Sequence, residues 1–378
     1  MKRPQYSIPQ ASALEWIAEA HARSEATSAS LGDPERRAFA DKMRRVLARV
    51  ACDPSRIGAR GHVVADAGRA NWEEGAIYDL ARQPHGKGTG ARTRLFDDVV
   101  GRYFAEAYAG ETVPPADLIH VTCTGYASPS GAQRLVADRG WGAISRVTHA
   151  YHMGCYAAFP ALRMASGFVA AASATGTGDA SRVDIVHTEL CSLHFDPADH
   201  SMEQLVVQSL FADGFIRYSV TGDPPRAPCL RMLALSETIL PDSAQSMGWM
   251  VSDHGMTMTL ARDVPARIGG ALHAFVLDLY ARAGLEAREE MPRTVFAVHP
   301  GGPKIIDAVK GRLELADAQV ATSRAVLFDY GNMSSATLPH VWMRILEDSA
   351  VRDGTLVVSL AFGPGLTVCG GVFRKQVP

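Results

Sequence analysis

Apolar positions along this chain change period several times, and each change marks an element. Between residues 11 and 50 they recur at helical spacing, with Leu14, Ile17 and Ala18 in one segment and Phe39, Met43, Val46 and Leu47 in the next, which predicts two opening helices. Residues 84–94, rich in Gly, Lys and Arg, read as an exposed loop with solvated basic side chains. An amphipathic helix carrying Leu95, Val99, Tyr103 and Phe104 follows. Short β-branched runs at 117–124 and 142–149 read as buried strands. The run CYAAFPALRM at 155–164 turns helical despite Pro160, and 183–190 and 215–220 return to strand character. After the turn TGDPPRAP the alternation resumes with a strand at 229–235, a long helix at 264–283 and a strand at 294–298. A strand at 326–330, a helix at 335–347 and strands at 355–362 and 367–373 complete it.

The later half repeats the grammar of the earlier one, which predicts an α/β protein of two similar halves, 1–220 and 221–378, joined near Thr221. At 378 residues the chain exceeds the usual size of one domain and can bury a large core. The apolar fraction of 47% and charged fraction of 21% are those of an ordinary globular protein. A net charge of -2 supplies no broad field for nucleic acid or an anionic membrane. Runs such as 168–174 fall short of the roughly 20 apolar residues of a membrane span, so no membrane insertion is expected. The opening MKRPQYSIPQ is not followed by a signal-like apolar region, and the six cysteines form no CxxC pair. Reduced thiols in the cytoplasm are the expectation.

Four segments carry candidate chemistry. Cys155, in HMGCYAA, stands where a strand gives way to a helix, and a helix N-terminus favours thiolate over thiol. An isolated cysteine is more often a buried small hydrophobe. His299, in VHPGGP, ends a strand before a rigid Pro/Gly turn able to aim an imidazole into a cleft. Asn332, in YGNMSSA, presents an amide before a helix whose cap is Ser334 or Ser335. Gly363, Pro364 and Gly365 form a tight turn between apolar strands, where backbone can approach a ligand or another segment.

Together these segments, in order and spacing, resemble the type III polyketide synthases, relatives of plant chalcone synthase, over about 50–373. The resemblance implies a thiolase fold of two similar α-β-α-β-α halves in five layers. It makes Cys155 the acyl-bearing nucleophile, His299 the partner that helps form its thiolate, and Asn332 the second donor to a thioester oxygen. It also implies a cavity lined by Phe211 and Met258 as gatekeepers, by Cys191, His194, Cys123, Tyr126 and Ser334, and by the turn at Gly363. A methionine at 258, where plant enzymes have phenylalanine, is expected to widen that cavity. Of the basic residues that hold coenzyme A phosphates in plant enzymes, Arg56 and Arg60 remain. The loop at 127–131 resembles one that reaches a neighbouring subunit, implying a homodimer. The amino terminus departs from the family by lacking its first apolar core strand.

The implied reaction loads a fatty acyl thioester, from acyl-CoA or an acyl carrier protein, and extends it with malonyl-CoA by decarboxylative Claisen condensation. The chain then closes to an alkylresorcinol or α-pyrone. No cofactor is expected, since the sequence contains no GxGxxG, phosphate loop or HExxH, and no metal despite thirteen histidines. Rivals are a ketosynthase-like enzyme joining two carrier-bound chains, a beta-ketoacyl-carrier-protein synthase III, which usually shows His-Gln-Ala-Asn where this chain has HPGGP, and an inactive scaffold of the same fold.

Overall fold

The computed structural model describes residues 2–68, 71–175, 182–223 and 226–378; Pro224 and Pro225 of the turn between the halves lie outside the described residues. The first half runs β1 (Tyr6–Pro9), α1 (Gln10–Ala29), α2 (Asp33–Val50), β2 (Ala59–His62), α3 (Thr89–Ala107), β3 (Asp117–Thr122), α4 (Gly131–Asp138), β4 (Arg146–Tyr151), α5 (Ala158–Thr175), β5 (Val183–Leu190), α6 (Met202–Leu210) and β6 (Asp213–Val220). The second runs β7 (Cys229–Ile239), β8 (Met247–Ser252), β9 (Gly255–Leu260), α7 (Val264–Arg282), α8 (Ala287–Glu290), β10 (Val295–Val298), α9 (Pro303–Arg312), α10 (Ala321–Tyr330), α11 (Thr337–Glu347), β11 (Leu356–Gly363) and β12 (Thr367–Gln376).

Two four-stranded sheets organise the molecule, in the orders β4-β3-β5-β6 and β10-β11-β12-β7. In the first, β4, β3 and β5 are parallel and β6 antiparallel; in the second only β10 and β11 are parallel. Alternation along fully buried strands feeds a different core on each face. In β11, Val357 and Ala361 face one cluster and Val358, Leu360 and Phe362 another. The shared middle cluster holds Phe159 and Leu162 of α5 and Leu338, Trp342 and Ile345 of α11, and both helices touch both sheets. Helices α3 and α4 cover the outer face of the first sheet and α7 that of the second. The five layers are therefore helix, sheet, helix, sheet, helix.

Several details differ from the sequence reading. Residues 326–330 belong to helix α10, not a strand: Val326 and Leu327 are buried while Phe328 is exposed, and a five-residue apolar run does not by itself distinguish the two periods. Strand β4 starts at Arg146 because 141–145 form turns closed by the Ile144 and Ser145 amides on the Trp141 carbonyl. The hairpin β8-β9 carried no clear signal. Arg92 is not solvated: its buried guanidinium donates to the carbonyls of Lys87, His85, Leu193 and Phe195. The stretch Gly154–Ala174, 21 residues long, is apolar and long enough to cross a bilayer by length and composition, yet its inner face is the middle cluster of the fold. Among the described residues, the amino terminus gives the first sheet only an isolated bridge from Lys2 to Phe215 of β6; β3 pairs directly with β5, and β1 pairs with β2 instead.

Candidate active site

Cys155 lies in a 3-10 turn, Gly154–Tyr156, between β4 and α5. Two close approaches hold that turn. A Cβ on Gly363 would stand 2.3 Å from the Tyr156 ring, and one on Gly154, whose φ is +75°, would stand 2.8 Å from Pro364. The Gly363–Gly365 turn therefore sets the depth of the nucleophile turn from behind, a role the sequence left open between ligand and chain contact. His152, at φ +61°, supports it from the front: its Nε2 meets the Trp249 carbonyl at 2.8 Å, so its Nδ1 accepts from the Tyr126 hydroxyl. Tyr126 thus braces the nucleophile turn rather than walling the cavity.

Asn332 sits just past α10, which Gly331 ends at φ +72°. Its backbone bridges α6 to β6, with the Asn332 amide on the Leu210 carbonyl at 3.0 Å and the Ala212 amide on the Asn332 carbonyl at 2.8 Å. The orientation of the side-chain amide follows from its partners. Oδ1 accepts from the Ser334 amide at 2.9 Å and the Thr337 hydroxyl at 3.3 Å, so Nδ2 is the end that donates, to the Gly301 carbonyl at 3.1 Å. That carbonyl lies in the turn after His299, which ties the two residues together. His299 continues the β10-β11 ladder through its amide on the Leu360 carbonyl at 2.7 Å. Its ring is buried with neither nitrogen paired, and burial pulls its pKa down to about 3. It is a neutral imidazole with one free N–H and one free lone pair.

Ser334 and Ser335 are not helix caps. Ser334 Oγ lies 3.8 Å from Cys155 Sγ and 3.1 Å from Cys123 Sγ, while Ser335 donates to Glu189. Burial pushes the Cys155 thiol up to about 12, against the downward pull of hydrogen bonds from Ser334 and Asn332, with the nearby Glu189 charge adding to the rise. The thiolate expected from the helix N-terminus is thus not the resting form: desolvation outweighs the local dipoles.

Glu189 is the residue the sequence reading missed. It is fully buried at the end of β5 and accepts from the Cys123 amide at 3.0 Å and the Thr124 hydroxyl at 3.0 Å, with Cys123 Sγ at 3.4 Å. Burial raises its pKa despite these bonds. The strand VDIVHTEL also carries Asp184, His187 and Thr188, so a carboxylate at its penultimate position gave no distinguishing signal in the sequence.

Other predicted residues group around a narrow cavity of about 60 Å³ lined by Phe211, Cys191, His194 and Met258, with Trp249 and Met256 of the hairpin. Met258 does not open a wide tunnel here. His194 is spoken for on both nitrogens, donating to the Thr124 carbonyl at 2.7 Å and accepting from the Met256 amide at 3.1 Å.

The two arginines part company. Arg60 is 3% exposed; its Nε donates to Gln10 Oε1 at 2.8 Å and its Nη1 to the carbonyls of Gln208 and Phe211 at 2.7 and 2.8 Å. It staples β2 to α6 and cannot reach a phosphate in solvent, which corrects the expectation for it. Arg56 lines a separate surface cavity of about 330 Å³ with Pro303, Arg324 and Phe328, beside the turn that carries His299. Among the described residues, no group of His, Cys, Asp or Glu is arranged to hold a metal.

Comparison with known proteins agrees with this geometry. Residues 231–377 match the family described as chalcone and stilbene synthases, C-terminal domain. The type III polyketide synthase C of Arabidopsis thaliana is 30% identical over 264 residues, covering 68% of this chain and 67% of that protein. The C-terminal type III polyketide synthase domain of Steely1, a type I/III hybrid from Dictyostelium, superposes with a TM-score of 0.80 at 23% identity, over 99% of this chain and 97% of that one. The 1,3,6,8-tetrahydroxynaphthalene synthase of Streptomyces coelicolor, a bacterial type III enzyme, does so at 0.77 with 21% identity, over 100% and 98%. The fold is the thiolase-like one expected.

Proposed function

The chain belongs to the type III polyketide synthases, and on that premise we propose that Cys155 accepts an acyl group from a thioester, that His299 and Asn332 activate a malonyl thioester beside it, and that the extended chain cyclises to a resorcinol or an α-pyrone. The observation that carries this is the convergence on one sulfur of the Asn332 amide and the Ser334 hydroxyl, with an unpaired neutral imidazole on the turn that Asn332 holds.

In the first step the Cys155 thiol gives its proton to the free lone pair of His299 as sulfur attacks the thioester carbonyl. The carbon–sulfur bond to the carrier thiol then breaks, and that thiol leaves with a proton. In the second step malonyl thioester loses carbon dioxide, and its thioester oxygen becomes an enolate. The His299 N–H and an Asn332 N–H are the donors for it; they are preorganised in a dry pocket where each counts for more than in water. The enolate carbon attacks the acyl carbon, the bond to Cys155 breaks, and the sulfur leaves as a thiolate that takes up a proton from solvent to restore the thiol. A neutral pair at rest suits this order, since no buried charge must be held before substrate arrives.

The surface cavity at Arg56 supports delivery by coenzyme A, as its cation stands beside the His299 turn. Burial of Arg60 leaves fewer free cations than plant enzymes have, which supports delivery by a carrier protein as a second reading. The narrow cavity behind Phe211 favours a compact acyl terminus over a long alkyl tail. The exposed tip at Ser128 and Pro129 supports the homodimer.

Intact-mass measurement of wild type and Cys155→Ser with a panel of acyl-CoA and acyl-carrier-protein donors, chased with malonyl-CoA, tests the reading. An adduct on wild type alone that malonyl-CoA converts to a released pyrone or resorcinol is expected. Adducts from carrier-bound donors only favour the joining enzyme, and no adduct from any donor would sink the proposal.

A further inference from the structure

Strand β2 alternates in burial, and its two inward side chains are Arg60 and His62. Arg60 is accounted for by its staples to Gln10, Gln208 and Phe211. His62 is not: it is 6% exposed, and neither ring nitrogen has a partner. Burial draws its pKa down to about 3, so the ring is neutral, with one N–H and one lone pair unused. Native interiors leave few polar atoms unpaired, and each calls for an explanation, a bound water or a ligand among them.

Both His62 and Arg60 line the cavity behind Phe211, together with Trp16 and Ile17 of α1. The polar groups of most other lining residues are already engaged. The Tyr78 hydroxyl donates to the Ser192 carbonyl, Ser192 to Asp213, Gln204 to the Met258 carbonyl, and the Trp249 indole to the Cys123 carbonyl. Gln208 meets His21 and donates to the Asp196 carbonyl, and His194 is paired on both nitrogens. The second lining side chain left over is Trp16, whose buried Nε1–H has no acceptor.

His62 and Trp16 therefore bring unpaired ring nitrogens, beside the Cys191 thiol, to the lining of a largely apolar cavity. One His62 nitrogen and the Trp16 N–H together suit a hydroxyl group, which can accept from the indole while it donates to, or accepts from, the imidazole. The cavity adjoins the catalytic residues, because Phe211, one of its walls, pairs with Asn332 as an isolated bridge. At about 60 Å³ it has room for a small terminal group and not for a long tail.

We propose that this cavity is a selectivity subsite for the far end of the acyl group, in which His62 and Trp16 hydrogen-bond a hydroxyl carried there, so that the preferred starter is a compact hydroxylated acyl thioester. The proposal rests on the synthase reading above.

The test is competitive loading of Cys155, followed by intact mass, with matched pairs of acyl thioesters of about four to ten carbons that differ only in a terminal hydroxyl. Sites built to bond a hydroxyl discriminate strongly against its absence, and a preference of at least about tenfold for one hydroxylated member is expected in wild type. His62→Leu should erase that preference and His62→Gln should restore part of it. Trp16→Phe, which keeps the ring packing and removes only the N–H, should reduce it. Equal loading of both members at every length would mean that the cavity holds water only and would overturn the subsite alone; a preference that survives His62→Leu would overturn it too. No loading by any donor would overturn the synthase reading and the subsite with it.

Discussion

Two buried histidines, His299 and His62, share an unusual state: each is neutral, desolvated and unpaired on both ring nitrogens. Their surroundings differ. His299 stands on the turn held by Asn332, whose amide reaches the Cys155 thiol, whereas His62 lines a cavity with Trp16, Phe195, Phe211 and Met258 to which Cys155 does not belong. An unpaired buried imidazole leaves a donor and an acceptor open to a ligand or a water. What lies beside it decides whether that ligand reacts or is only held.

The largest effects should separate the two. His299→Ala is expected to lower kcat on the order of a thousandfold for every donor, since it removes both the proton acceptor and an enolate donor. His62 variants should change the ranking of donors instead. Equal losses in the two, in steady-state assays across donors, would break the comparison. Asn332→Asp should cost roughly a hundredfold or more in malonyl decarboxylation, because a carboxylate cannot donate from the Nδ2 position.

A second contrast, between Arg60 and Arg56, sharpens the first at the level of stability. Arg60→Met should destabilise the fold by about 3 kcal/mol or more in denaturant unfolding, as it strips donors from two buried carbonyls and Gln10. Arg56→Ala should shift stability by less than about 0.5 kcal/mol but raise KM roughly tenfold for coenzyme A donors. N-acetylcysteamine thioesters, which lack the nucleotide, should show no such change.

The smallest effect concerns pH. Burial raises the Cys155 thiol from 9.0 to about 12, so its alkylation by iodoacetamide should keep climbing between about pH 8 and pH 10 without the plateau of an ordinary thiol. The folded state keeps a proton that the unfolded state releases above the ordinary value. The contribution of this group to stability is therefore present below about pH 9 and lost as pH rises toward about 12. Thermal unfolding of wild type against Cys155→Ala over that range checks the sign.

Most of the site was legible because its chemistry lies in short loops with local signatures. HMGCYAA, HPGGP, YGNMSSA and GPG each combine a reactive or donor residue with the glycines and prolines that fix its turn, and such turns are encoded within a few residues. Glu189, His62 and Trp16 were not legible, since nothing near them in sequence distinguishes them from ordinary strand and helix residues. Arg56 and Arg60 looked alike for the same reason. The helix at 321–330 escaped because a short apolar run fits either period until its neighbours choose one face.

The sequence by itself determined the alternation of strands and helices, the two-half plan and the reactive turns, all of which depend on periodicity and local backbone preference. Only the tertiary structure decided which groups lose water and which find partners. Cys155 became a resting thiol where the turns after β4 and α10 meet β11, and Arg60 became a staple and His62 an open hydrogen-bonding site where α1, α6 and β2 meet. Desolvation and pairing belong to that meeting of distant segments, not to any residue alone.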